Sequence, residues 1–77
     1  MKTIFISSSE GEINETVVKS YLNKGFVEHI KNRHYELTIE KEYHLTVGSE
    51  VSIANIIHEI EDMYYDIDED SIVYYIG

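Results

Sequence analysis

Seven carboxylates crowd into residues 59–70: Glu59, Glu61, Asp62, Asp66, Asp68, Glu69 and Asp70. Carboxylates in such density offer three chemistries: acid–base catalysis, cation binding, and presentation of an anionic surface to a basic partner. Catalysis needs a pair singled out by its surroundings, and among fifteen acids no pair stands apart. Cation binding is not favoured either. His58 and Asp62 are spaced i, i+4, with Glu59 beside them, but a structural metal site needs about four ligands and a supporting shell. Asp66-x-Asp68-x-Asp70 starts like a calcium loop, yet Ser71 stands where the glycine belongs and Gly77 where the bidentate glutamate belongs. Ser7-Ser8-Ser9 with Gly11 lacks the glycine spacing and lysine of a phosphate loop, and no local signature joins serine and histidine into a triad. The residues therefore point to no enzyme, cofactor or metal.

The anionic surface remains. Residues 1–41 hold six bases and six acids and are neutral, so the whole formal charge of −9 falls on 42–77, which contain no Lys or Arg. An ordinary solvated face mixes both signs, because unmixed charge repels itself in the compact state. Such a surface repels nucleic acid and anionic membranes and attracts basic surfaces, including those that hold nucleic acid.

The elements that position these residues follow from hydrophobic periodicity. Lys2–Ser7 reads as a strand. Asn14 is a helix N-cap, and Val17, Val18, Tyr21 and Leu22 recur at helical spacing. At Gly25 two continuations compete. Either the helix runs on to about Lys31 through Phe26, His29 and Ile30, the reading preferred here, or Phe26–Ile30 forms an extra strand. Tyr35, Leu37 and Ile39, then Tyr43, Leu45 and Val47, alternate with polar residues, which predicts a hairpin turning at Glu40-Lys41-Glu42. Ile53, Ile56, Ile57, Ile60, Met63 and Tyr64 fall on one side of a helix over about 50–65, with Ile56 and Ile60 at the centre of its buried arc. Glu59, Asp62 and Asp66 then form a row along its solvent side. Ser71–Ile76, apolar on both faces, closes the chain as a strand.

The order β-α-β-β-α-β in 77 residues predicts an α+β, ferredoxin-like two-layer sandwich in a single domain, 1–77. Its four-stranded antiparallel sheet would carry both helices on one face. The open face would show Phe5, His44 and Tyr75, if Ile4, Ile6, Leu45, Tyr74 and Ile76 point inward. That face suits a protein partner or self-association, whereas the charge argues against stacking RNA on it. The absence of cysteine fits a cytoplasmic protein. No run approaches the ~20 apolar residues of a membrane span, and the apolar run Thr3–Ile6 is too short for a signal peptide.

In size, acidity, lack of cysteine and lack of catalytic motif, the chain resembles small acidic phage-encoded anti-defence proteins, including anti-CRISPR inhibitors that mimic DNA. The resemblance is one of composition over the whole chain. It implies an inhibitor of a host nuclease or CRISPR effector, working in the host cytoplasm by occupying a basic nucleic-acid-binding surface. The expected contact residues are Glu59, Asp62, Asp66, Asp68, Glu69 and Asp70, with Tyr65 as an aromatic anchor. The alternative is a regulatory or structural module that forms a homodimer through its open sheet face.

Overall fold

The computed structural model describes residues 1–8, 14–29 and 33–77. Their elements run β1 (Lys2–Ser8), α1 (Glu15–Asn23), β2 (Val27–His29), β3 (His34–Ile39), β4 (Glu50–Ile53), β5 (Ile56–Asp66) and β6 (Ser71–Ile76). The strands form one six-stranded sheet in the order β2-β3-β1-β6-β5-β4, curled into a half-barrel. β1 and β6 are parallel, and every other neighbouring pair is antiparallel. The expected ferredoxin-like sandwich is therefore wrong: the sheet is mixed and six-stranded, and α1 is the one helix among the described residues.

The helix expected over 50–65 is instead the β4–β5 hairpin. Ala54 and Asn55 both take positive φ, 54° and 64°, between the paired Ile53 and Ile56. That is the two-residue turn whose twist matches the strands it joins. The isoleucines at 53, 56, 57 and 60 are β-branched, which suits a strand better than a helix. The apparent helical stripe arises from a bulge. Ile60 faces Ile76 but Asp62 faces Tyr75, so Glu61 is an extra residue in the ladder. Ile56, His58 and Ile60 point inward at period two. After the bulge the phase shifts by one, and Met63 points inward. A period-two pattern broken by one insertion imitates spacings of three and four.

α1 begins as the sequence predicts. The Asn14 side chain accepts from Val17 N–H at 3.0 Å. It ends at Asn23 rather than near Lys31. Gly25, at φ 94°, gives its N–H to Leu22 O, and Phe26 N–H bonds Tyr21 O across the same turn. This paired-bond helix stop requires the left-handed conformation that glycine takes without strain. The Phe26 ring then packs edge-on to Tyr21 at 4.7 Å. Val27–His29 continues as an edge strand against β3, so the strand alternative at Phe26–Ile30 holds for its described part; Ile30 and Lys31 lie outside the described residues.

The strand expected at 43–47 is a strap without ladder pairing. It crosses the concave face of the half-barrel. Tyr74, fully buried on that face, donates its hydroxyl to Tyr43 O and accepts from Leu45 N–H, both at 2.8 Å. Buried Thr3 donates to Lys41 O at 2.7 Å and accepts from Tyr43 N–H at 3.0 Å. Leu45 reaches the core beneath the strap, whereas Tyr43 and Val47 remain exposed. Alternation in this segment thus reflects one inward anchor rather than a sheet.

The core lies on the concave face, made of Phe5, Tyr21, Phe26, Tyr35, Leu37, Ile60, Ile72, Tyr74 and Ile76. The convex face carries no second layer among the described residues. β6 occupies the middle of the sheet, which is why the sequence reads apolar on both sides: Val73, on the convex face, is buried between its neighbours Ile4 and Tyr64. The expected open face is half right. Tyr75 lies on it and Tyr74 and Ile76 point inward, but Phe5 is in the core while Ile4 and Ile6 face outward, and His44 sits on the strap. No helix among the described residues is long and apolar enough to cross a membrane.

Candidate partner-binding surface

The outer face of β5 brings together three of the expected contact residues. Without the bulge, Glu59 and Asp62 would point to opposite faces, because side chains alternate along a strand. The extra residue Glu61 puts Glu59, Asp62 and Asp66 on the same convex face, beside Tyr64. Asp62 and Asp66 are then about 13 Å apart along the strand. Glu50 of β4 lies directly opposite Glu59. Like charges facing each other across strands destabilise a sheet, so this pair is held against a cost. Neither they nor Asp62 has a base within ion-pair reach among the described residues.

Aromatic surface adjoins the carboxylates. Tyr64 stands between Asp62 and Asp66 with its ring 5.9 Å from that of Tyr75. The neighbouring Tyr75 phenol raises the Tyr64 pKa most, followed by burial and by the Asp66 and Glu36 carboxylates, so Tyr64 stays neutral. Ile4 and Ile6 of β1 continue the apolar ground toward His29, His34 and Glu36, with His29 Nε2 at 3.3 Å from the Glu36 carboxylate.

The remaining expected residues fall elsewhere. Tyr65 faces away from the acidic row, opposite Ile72, and stands 57% exposed at the margin of the concave side. Asp68, Glu69 and Asp70 belong to the β5–β6 turn at one end of the sheet. There Asp66 accepts Glu69 N–H at 3.2 Å, and Glu69 reaches Lys2 Nζ at 3.5 Å. Asp70 lies 4.0 Å from the Met1 amino group. Glu69 and Asp70 are thus partly neutralised, while Asp68 projects freely next to Ile67, an isoleucine 91% exposed.

Sequence reasoning missed Glu50, Tyr64 and Ile57 as members of this surface, and Ile67 as an exposed apolar residue of the neighbouring turn. The signal that could have found Glu50 is Ala54-Asn55 between two runs rich in β-branched residues, Val51 with Ile53 and Ile56 with Ile57, since asparagine tolerates positive φ and so marks a hairpin. Ile57 and Ile67 are exposed apolar residues whose exposure follows from the strand phase and the turn.

His58 does not join Asp62. It points inward, 4% exposed, while Asp62 points outward. Its Nδ1–H donates to Gly77 O at 3.0 Å, which fixes the tautomer and leaves Nε2 to accept from the Tyr21 hydroxyl at 2.7 Å. Burial lowers the His58 pKa, and the Gly77 carbonyl opposes that shift. Burial raises the Tyr21 pKa, with the Ser7 hydroxyl pulling the other way. The Tyr21–His58 pair thus ties α1, β5 and the end of β6 together as a neutral, satisfied core contact. No group of three or more His, Cys, Asp or Glu among the described residues is arranged to hold a metal ion.

No protein-family model, curated protein or solved structure matches this chain.

Proposed function

We propose that this protein binds a basic, nucleic-acid-holding surface of another protein through the outer face of β5, and so keeps nucleic acid off that surface. A host nuclease or a CRISPR effector is the partner class the reading favours, with the carboxylates standing in for phosphates. One observation carries it: a bulge aligns Glu59, Asp62 and Asp66 on one exposed face beside Glu50, with no base among them and with two glutamates directly opposed. A protein selected only for solubility has no reason to keep the opposed pair. Tyr64 offers an aromatic contact within the same row, and arginine stacks well on such a ring.

The dimer reading has one observation in its favour, the uncovered convex ground of Ile4, Ile6, Tyr64 and Tyr75. Glu36, Asp62 and Asp66 stand on that same face, however, and two copies brought together there would oppose like charges.

The test is competition. Purified CRISPR effectors and nucleases are loaded with a fluorescent DNA duplex, and this protein is titrated in. The reading expects DNA release from at least one of them, with apparent affinity falling steeply as salt rises. DNA retained by every effector, together with a salt-insensitive dimer in sedimentation, would transfer support to the sheet-face module.

A further inference from the structure

β5 is eleven residues long, but β4 covers less than half of it. Pairing runs from Ile53–Ile56 to Glu50–Glu59, and Ile60 then exchanges backbone bonds with Gly48 and Ser49. There the chain turns away. Ser49 N–H bonds Thr46 O, with Gly48 at φ 91°, and the strap leaves over the concave face. Residues 62–66 therefore have β6 on one side and, among the described residues, no strand on the other.

The direction of each backbone group along this free edge follows from the ladder. Ile60 bonds toward β4, and Glu59 O accepts Gly77 N–H from the β6 side. The bulge resets the alternation by one, so the N–H and C=O groups of Met63 and Tyr65 point to the free side. The Asp62 carboxylate confirms the direction at Met63, whose N–H it accepts at 2.8 Å. Among the described residues, the Tyr65 groups and Met63 C=O meet no backbone partner on that side.

Charge decides what can pair there. A second copy docking antiparallel on the same edge would set Asp62 against Asp66 and Asp66 against Asp62, so the edge repels its own kind. A cationic strand meets the opposite situation. Its residues on the convex side would fall beside Asp62, Tyr64 and Asp66 in turn, two carboxylates with an aromatic ring between them. Its intervening residues would lie beside Met63 and the exposed ring of Tyr65.

We infer that the free edge of β5 at Met63–Tyr65 is a strand-docking site for an extended partner segment carrying Lys or Arg at alternate positions. Main-chain bonds to Tyr65 supply the register, and the flanking bases pair with Asp62 and Asp66 while the middle one covers Tyr64. This rests on the proposed binding of a basic partner and specifies how that partner is held.

The experiment uses three capped heptapeptides on the isotope-labelled full chain: Thr-Lys-Val-Arg-Val-Lys-Thr, the same composition with its bases contiguous, and the first sequence with Glu for every base. Backbone amide shifts and hydrogen exchange are read by NMR. The alternating peptide is expected to bind best, to slow exchange of the Tyr65 amide by an order of magnitude, and to lose binding in Tyr65→Pro. Proline is tolerated where an edge N–H faces solvent, and the exchange result on the wild-type chain stands even if that variant does not fold. Equal binding of the two basic peptides with Tyr65 exchange unchanged would overturn strand docking and leave the basic-partner reading intact. Failure of both basic peptides to bind would overturn the two together.

Discussion

Replacing Tyr74 with phenylalanine removes one oxygen and releases the strap from the concave face. The Tyr74 ring is fully buried and stacks beside Phe5 at 5.7 Å, so Tyr74→Phe keeps its packing. What it removes is a donor to Tyr43 O and an acceptor for Leu45 N–H, each bond 2.8 Å long. Leaving a buried polar group unpaired costs about 1–3 kcal/mol. Leu45 is only half-buried, so water can reach part of what is exposed, and the lower half of that range is expected. Stability of a chain this size is on the order of 4–11 kcal/mol, and each kcal/mol lowers Tm by about 4–8 °C. Thr3→Val removes the second anchor, at Lys41 O and Tyr43 N–H. Both anchors hold the same segment, so once one is lost the other has less to hold. The double variant should therefore cost less than the two single costs combined, with a coupling of about 0.5–1 kcal/mol. Urea unfolding followed by circular dichroism gives all four corners of the cycle. A Tm for Tyr74→Phe within a degree of wild type, or strictly additive costs, would refute the strap as a pinned structural element.

Ile60 is fully buried at the centre of the sheet, and Ile60→Ala should cost about 2–5 kcal/mol in urea unfolding; a loss below half a kilocalorie would contradict its place in the core. Gly25→Ala should destabilise by about 1–2 kcal/mol, because φ 94° strains any side chain, and an unchanged unfolding midpoint would show that α1 stops differently. His58 gives a pH signature. Its native pKa lies below the ordinary 6.5, so the unfolded chain binds its proton first as pH falls. The stability it contributes is therefore complete above about 6.5 and is lost as pH falls through that value toward the lowered native one. His58→Gln, which can still donate to Gly77 and accept from Tyr21, should flatten the stability curve between pH 7 and 5 relative to wild type, and parallel curves would contradict the burial. Moderate salt should raise Tm, since Glu50, Glu59, Asp62 and Asp68 have no base in reach among the described residues; a flat or falling Tm would mean that these acids are individually compensated.

Local signals were legible wherever one element decided its own form. Asn14 announced the start of α1 and the apolar, β-favouring run Ile4–Ile6 announced β1. The two-sided apolar run at 72–76 announced a strand whose central place explains why Val73 is buried on the convex face. Gly25 carried its information ambiguously, since only the pair of bonds back to Tyr21 and Leu22 shows that it stops the helix. The second helix was misread for a definite reason. One inserted residue, Glu61, shifts a period-two pattern by one, and the outcome over 53–64 matches helical spacing as well as strand spacing. β-branching at 53, 56, 57 and 60 is the sequence feature that favours the strand. The strap was misread because Tyr43, Leu45 and Val47 alternate, although only Leu45 is anchored in the core. The row Glu59, Asp62, Asp66 was grouped on one face correctly but on the wrong element. The bulge does in a strand what the helical repeat would have done in a helix. Tyr65 was placed beside those acids by sequence proximity, and the strand phase turns it to the other face.

On the proposed function, the aligned acids of β5, rather than negative charge at large, meet the partner. Association kinetics test this on an immobilised basic DNA-binding effector picked out by the competition titration. Asp62→Lys with Asp66→Lys is compared there with Glu28→Lys with Glu40→Lys, a pair of equal charge change at exposed positions outside the row. The first pair is expected to lower the association rate far more than the second, with the gap narrowing as salt rises. Equal losses from the two pairs, unchanged by salt, would contradict it.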